Sequence, residues 1–301
     1  MFKRILIFSL TNILVVITLS IVLRIIGADR YITAYGLNYG SLFMFCLVWG
    51  MGGAFISLGI SRMMAKWAMG VHVIDPRNPG EFSDLVNTVH QFAQKAGLPA
   101  MPEVGVYESP EINAFATGPS KSRSLVAVST GLLQRMDRDQ LQGVLGHEIA
   151  HIANGDMVTM TLIQGVINAF VMFFARIIGY AISGALRGKN SEGESNAGSF
   201  WMNYLVVTVL EIVFGLLGYL VVAWFSRQRE FRADHGGAEY AGRGKMIGAL
   251  QQLNKFYGRL PETETRASIA TLKISGKQGG LLALMATHPP LEERIARLQG
   301  A

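Results

Sequence analysis

His147, Glu148 and His151 stand in the order His-Glu-x-x-His, a spacing that suits metal chemistry. On a helix, side chains four apart project from one face about one turn from each other, so two imidazoles can share a tetrahedral zinc ion. Glu148 lies beside the first of them. A carboxylate there need not be a ligand; it can take a proton from water at the metal and later hand it to a leaving amine. The pattern leaves a third ligand to be supplied from elsewhere in the chain.

Residues 137–155 are the element that must hold these groups. Asp137 with Gln140 three residues on can form a capping box, and Gly155 suits the left-handed turn that ends a helix. The spacing predicts one short helix between them.

Half of the 301 residues are hydrophobic and 16% are charged, and the mean hydropathy is positive, which is a membrane composition. The net charge of +6 could suggest nucleic acid. Its basic residues cluster at the ends of apolar runs instead, where they set orientation, so no nucleic-acid partner is expected. Cys46, the single cysteine, lies in an apolar run and excludes an internal disulfide.

Four apolar runs are long enough to cross a bilayer: Ile5 to Ile26, roughly Tyr39 to Ile60, Met157 to Leu186, and Phe200 to Phe225. The first exceeds the usual signal-peptide core and is followed at once by the second, so the two read as an uncleaved hairpin. Gly50, Gly52, Gly53 and Gly59 in the second run would permit close helix contact. The last two runs form another hairpin around a polar loop from Arg187 to Ser199. Arg176 and Glu211 lie at similar depth in that hairpin and are expected to pair, because a lone charge in lipid is costly. Lys3, Arg4, Arg62, Lys66, Arg227, Arg229 and Arg232 flank the runs and place the termini and the soluble parts in the cytoplasm.

The soluble part opens with a helix over Glu81 to Ala96, whose apolar residues recur at helical spacing. Glu103 to Glu108, Ile112 to Thr117 and Ser124 to Ser129 read as three strands of a small antiparallel sheet running into the metal helix. Asn113, Ala114 and Phe115 are candidates for an exposed strand edge that binds an extended substrate through its main chain; a plain structural strand fits the same spacing. Further helices are expected near Lys245 to Lys255 and Leu291 to Leu298. His72 and His90 lack partners at metal spacing and are read as packing or surface histidines.

An even number of crossings returns the chain to the side it left, so Glu230, about 80 residues beyond His151, can supply the third ligand. Asp234, one turn further, can fix a ligand histidine's tautomer. Asp234 itself, His235 and His288 compete for the ligand role, and a solvated charged face is the plain alternative for residues 229–234. His288 and Arg294 can place an imidazole and a guanidinium near an oxyanion; a proline-stopped turn into a last helix explains them equally well.

The four apolar segments, Asn113 to Gly118, His147 to His151 with Asn154, Gly155 and Asp156, the Arg229 to Asp234 stretch, and Thr287-His288-Pro289 together resemble the HtpX protease family of bacterial membrane metallopeptidases. The resemblance covers nearly the whole chain. It implies an α+β membrane protein: a mainly helical gluzincin-type peptidase domain with a small antiparallel sheet and two transmembrane hairpins, related to the CAAX prenyl endopeptidase. It implies one zinc ion held by His147, His151 and Glu230, with Glu148 as catalytic base. It further implies polypeptide substrates, chiefly misfolded or damaged membrane proteins, cleaved at the cytoplasmic face of the bacterial inner membrane in quality control and stress response. The expected division is a hairpin over 1–61, the first peptidase part over 62–156, a second hairpin over 157–226 and the second peptidase part over 227–301.

Two rivals remain at this stage. An intramembrane site-two protease would place the His-Glu-x-x-His helix within the bilayer, but the apolar stretch around His147 is only about 13 residues and is preceded by Asp137, Arg138 and Asp139. A non-catalytic, chaperone-like zinc scaffold would close its site with four protein ligands and have no use for Glu148.

Overall fold

The structure, a computed structural model, describes residues 2–28, 30–33, 36–187, 196–257 and 285–300. Part of the expected polar loop, residues 188–195, and residues 258–284 lie outside the described residues. The chain divides into two compact units, one of Met1–Ser57 with Thr161–Val222, the other of Leu58–Met160 with Ala223–Ala301.

In the first unit, α1 (Phe2–Ile25) leads through an antiparallel pair, β1 (Ile32–Thr33) and β2 (Gly36–Leu37), into α2 (Tyr39–Ala68). The unit also holds most of α6 (Asp156–Arg187) and much of α7 (Asn196–Ala241). Among the described residues, three helices, Tyr39–Ala68, Asp156–Ala185 and Trp201–Ala241, are long and apolar enough to cross a membrane. The described apolar part of α1, Ile13–Ile25, is shorter. Large apolar side chains such as Leu14, Phe170, Ile212 and Leu216 face outward, as hydrocarbon surroundings allow.

Of the four glycines expected to permit helix contact, two do. A Cβ at Gly50 would stand 2.6 Å from the Ala169 nitrogen of α6, and one at Gly52 would stand 2.6 Å from Leu19 of α1. Gly53 and Gly59 meet open space. Arg176 and Glu211 pair as expected, with Nη1 donating to Oε1 at 2.5 Å. Arg176→Leu alone leaves Glu211 unpaired at a cost of about 2.5–3.5 kcal/mol. The double change with Glu211→Leu is therefore expected to melt in detergent at a higher temperature than Arg176→Leu alone. Equal losses from the single and double changes would show that the pair is not coupled.

In the second unit, the sheet takes the order β3 (His72–Val73), β4 (Glu103–Tyr107), β6 (Arg123–Ser129), β5 (Ala114–Ser120). The expected all-antiparallel sheet needs correction, because β4 and β6 run parallel, with Val104 opposite Val126. The β5–β6 hairpin folds so that β6 inserts next to β4. After two reversals of direction, β6 necessarily runs with β4. Among the described residues, the opposite edge of β5 has no strand partner.

A short 3₁₀ turn (Gly80–Phe82) precedes α3 (Ser83–Lys95), which buries Leu85, Val86, Val89, Phe92 and Ala93, the face its spacing predicts. That face packs with Val104, Val126 and Val128 of the sheet against Leu145, Ile149 and Ile152 of α5 (Arg138–Asn154), the metal helix, which follows the short α4 (Thr130–Arg135). Burial of each such aliphatic side chain contributes about 1.5–3 kcal/mol. The capping box of Asp137 and Gln140 is formed on both sides, and Gly155 ends α5 at φ 70°. Gly143 and Gly146 let other helices reach α5. A Cβ at Gly143 would stand 2.5 Å from the Lys245 oxygen of α8 (Arg243–Tyr257), and one at Gly146 would stand 3.0 Å from the Gly237 oxygen of α7. The last helix, α9 (Leu291–Gly300), buries Leu291 and Leu298 against Met246 and Leu250 of α8.

Candidate metal centre

Leu145, Ile149 and Ile152 fix one face of α5 in the core, which turns His147 and His151 to the other side. Their Nε2 atoms stand 3.1 Å apart. Glu230 comes from α7 and is 1% exposed, with Oε2 3.4 Å from His147 Nε2 and Oε1 3.4 Å from His151 Nε2. Two nitrogen or oxygen ligands about 2.05 Å from a tetrahedral zinc stand about 3.3 Å from each other. The two nitrogens stand close to that spacing, and each lies 3.4 Å from one of the two Glu230 oxygens, so the carboxylate can complete the set. Glu230 Oε1 is buried without a hydrogen-bond donor, which is costly for a carboxylate unless a cation takes that place. His147, His151 and Glu230 are the only His/Cys/Asp/Glu grouping among the described residues whose ligand atoms all lie within 4.8 Å of one another.

The other ring nitrogens are held by carboxylates. Asp234 Oδ1 lies 3.0 Å from His147 Nδ1, behind the nitrogen that faces Glu230 and outside the three-donor grouping. Asp156 Oδ2 lies 2.6 Å from His151 Nδ1. Burial opposes protonation of both rings, but hydrogen bonds to Asp234 and Glu230 raise His147 above its ordinary pKa. Those to Asp156 and Glu230 lift His151 to about 10. Both carboxylates make the histidines more basic, hence better metal ligands, and binding a cation there releases protons.

Asp156 was not among the residues singled out from the sequence as site residues. It sits just beyond the glycine that stops α5, where a spacing search within one helix does not look. Removing it by Asp156→Ala is expected to weaken metal affinity about 10–100-fold while Asp156→Asn, which still accepts a hydrogen bond, loses less. Competition against a chelator measures both.

His288 reaches the site but stays outside the three-donor set, with Nδ1 3.1 Å from Glu230 Oε2. Arg294 is 4% exposed, and its guanidinium holds Asp234 with two hydrogen bonds, of 2.7 Å and 2.5 Å. It also stands 3.7 Å from Glu230. It thus braces the carboxylate that contacts His147 Nδ1. His235 is exposed and is not among the three grouped donors. His90 contacts the Pro102 oxygen at 3.3 Å and His72 is exposed in β3, so neither joins the centre.

A cavity of about 380 Å³ opens on the centre, lined by His147, Glu148, His151 and Glu230 together with Asn113, Ala114 and Phe115. Leu132, Val144, Met246 and Leu250 form its apolar wall. The predicted base and the predicted substrate edge thus share one space with the three donors.

A profile of peptidase family M48 matches residues 79–301. The chain is 53% identical to a protein named Protease HtpX homolog from Variovorax paradoxus and 52% identical to one so named from Methylacidiphilum infernorum, each alignment covering 99% of both chains. A Bacillus licheniformis protein of the same name is 51% identical over 99% of both chains. Its fold is similar to the crystal structure of S. mikatae Ste24p, with a TM-score of 0.66 and 16% identity over 99% of this chain and 67% of that one.

Proposed function

The chain belongs to peptidase family M48 and is a membrane metallopeptidase of the HtpX kind; on that premise we propose that it is a zinc endopeptidase that cleaves misfolded or damaged membrane proteins at a cytoplasm-facing site of the bacterial inner membrane. The observation that carries the catalytic part is the buried Glu230 carboxylate spanning the two imidazoles, each oxygen 3.4 Å from one Nε2. Zinc over other metals follows from two imidazoles and one carboxylate in tetrahedral spacing. The cytoplasmic side follows from the basic residues at the span ends, among them Arg62, Lys66, Arg227 and Arg229.

His147, His151 and Glu230 would hold the ion, which when bound polarises the scissile carbonyl and acidifies the attacking water. Asp156 and Asp234 keep the two imidazoles in the tautomer that presents Nε2 to the ion. An extended peptide adds to the outer edge of β5 through main-chain hydrogen bonds beginning at Ala114, with Asn113, whose N–H and C=O already bond Ser129, and Phe115 lining the same cavity. Glu148 removes the proton from the attacking water and returns it to the departing nitrogen. His288, lining the same cavity beside Glu230, is placed to donate to the oxygen that gains charge.

Purifying the full chain in detergent and measuring zinc content with cleavage of casein and of a membrane protein tests this reading. One zinc per chain with chelator-sensitive cleavage is the expected result. A loaded chain that cleaves neither substrate would point to the scaffold instead.

A further inference from the structure

Among the described residues, most polar side chains of the first unit's long helices are satisfied within it, the buried Trp49 Nε1 being an exception. Arg176 pairs with Glu211, Ser183 donates to Asn203 at 2.9 Å, and Thr208 and Thr18 bond carbonyls one turn back. Gln164 and Asn168 differ. Both are exposed well inside the apolar helix Asp156–Ala185, and their one recorded hydrogen bond is to each other, Gln164 Nε2 to Asn168 Oδ1 at 2.9 Å. That leaves the Gln164 carbonyl and the Asn168 amide hydrogens unspent. In hydrocarbon no water can take them, and an unsatisfied polar group there is costly.

Their place on α6 is specific. Gly165 and Ala169 press against Gly50 of α2, while Ile167 and Val171 press against Gly218 of α7. At 100° per residue, Gln164 and Asn168 fall between those two contact lines, so they sit in the seam where α2 and α7 flank α6. Among the described residues, neither flanking helix spends the remaining amide groups.

We propose that this seam docks a transmembrane helix of a substrate, and that it selects helices carrying an uncharged polar side chain that lacks a partner of its own. The amide pair offers one acceptor and one donor, which matches Asn, Gln, Ser or Thr and gives a charged group no counter-ion. A correctly assembled membrane protein spends such groups on its own neighbours; an orphaned or misfolded one presents them to lipid. The seam would thereby read the chemical mark of misassembly directly. This rests on the peptidase reading above, since it names the substrate class of that site.

The test uses the full chain reconstituted in lipid vesicles with two single-span substrates that differ only by Asn or Leu at mid-span. The parent is expected to cleave the Asn substrate with KM about tenfold lower than the Leu substrate. Gln164→Leu with Asn168→Leu is expected to erase that difference by raising KM for the Asn substrate while leaving kcat unchanged. Leucine suits lipid, so the double variant should melt no lower than the parent. Because Cys46 is the sole cysteine and is buried, Gln164→Cys gives one accessible thiol, which under added copper–phenanthroline as oxidant should form a disulfide with a mid-span cysteine of the substrate. Equal KM values in the parent, retained discrimination in the double variant, or a disulfide formed only between two copies of the chain would overturn the proposal. Failure of the parent to cleave casein would overturn the peptidase reading instead.

Discussion

Glu148→Gln is expected to keep the metal and to lower peptide cleavage by about 10²–10⁴-fold, the range that a positioned acid–base group contributes. The substitution preserves shape and hydrogen-bonding reach but removes the capacity to hold a proton taken from water. Glu148 is 9% exposed and lines the cavity, while the three-donor set is complete without it. Metal content should therefore equal the parent's. The loss should appear in kcat more than in KM, because the edge of β5 and the apolar wall still bind the peptide. Full activity in the purified, metal-loaded variant would remove Glu148 from the reaction; loss of metal together with activity would make it structural.

The two ends of α5 were legible because capping is local: Asp137 and Gln140 lie within one turn, and only a residue comfortable at φ 70° suits position 155. The pairing of Arg176 with Glu211 was legible from depth, since two opposite charges equally far into a helical hairpin have nowhere cheaper to go. Strand direction was not legible. The parallel β4–β6 contact depends on which side of the hairpin meets β4, and no residue within β4, β5 or β6 records that choice.

α2 continues beyond the apolar run that Tyr39 to Ile60 marks. Hydropathy falls at Arg62 and Lys66, but the helix continues to Ala68 because those cations find Glu103 of β4, at 3.5 Å and 2.8 Å, and Met63, Met64 and Ala65 favour helix throughout. The end of an apolar run marks where lipid contact stops, not where hydrogen bonding along the helix stops. The same holds for α7, which runs unbroken from its apolar part through Glu230 and Asp234 to Ala241. That continuity gives the third donor and its neighbour Asp234 one rigid support, one turn apart.

Glu230→Ala is expected to abolish metal retention, with a loss larger than the about 10–100-fold that follows from removing a group behind a ligand. Only two donors would remain, His147 and His151, on one helix. The change also strips a buried carboxylate from His288 at 3.1 Å, Arg229 at 3.5 Å and Arg294 at 3.7 Å. Breaking a buried ion pair from one side costs about 3–5 kcal/mol, so loss of fold could imitate loss of metal. Glu230→Gln separates the two: it fills the same volume and keeps an oxygen facing His288, Arg229 and Arg294, but it is a neutral and weaker ligand. The expected order of zinc content after gel filtration is parent, then Gln, then Ala, with the Gln variant melting close to the metal-free parent. If Glu230→Ala kept stoichiometric zinc and activity, His288, the next donor beside that oxygen, would be the third ligand, and α7 would serve only as its support.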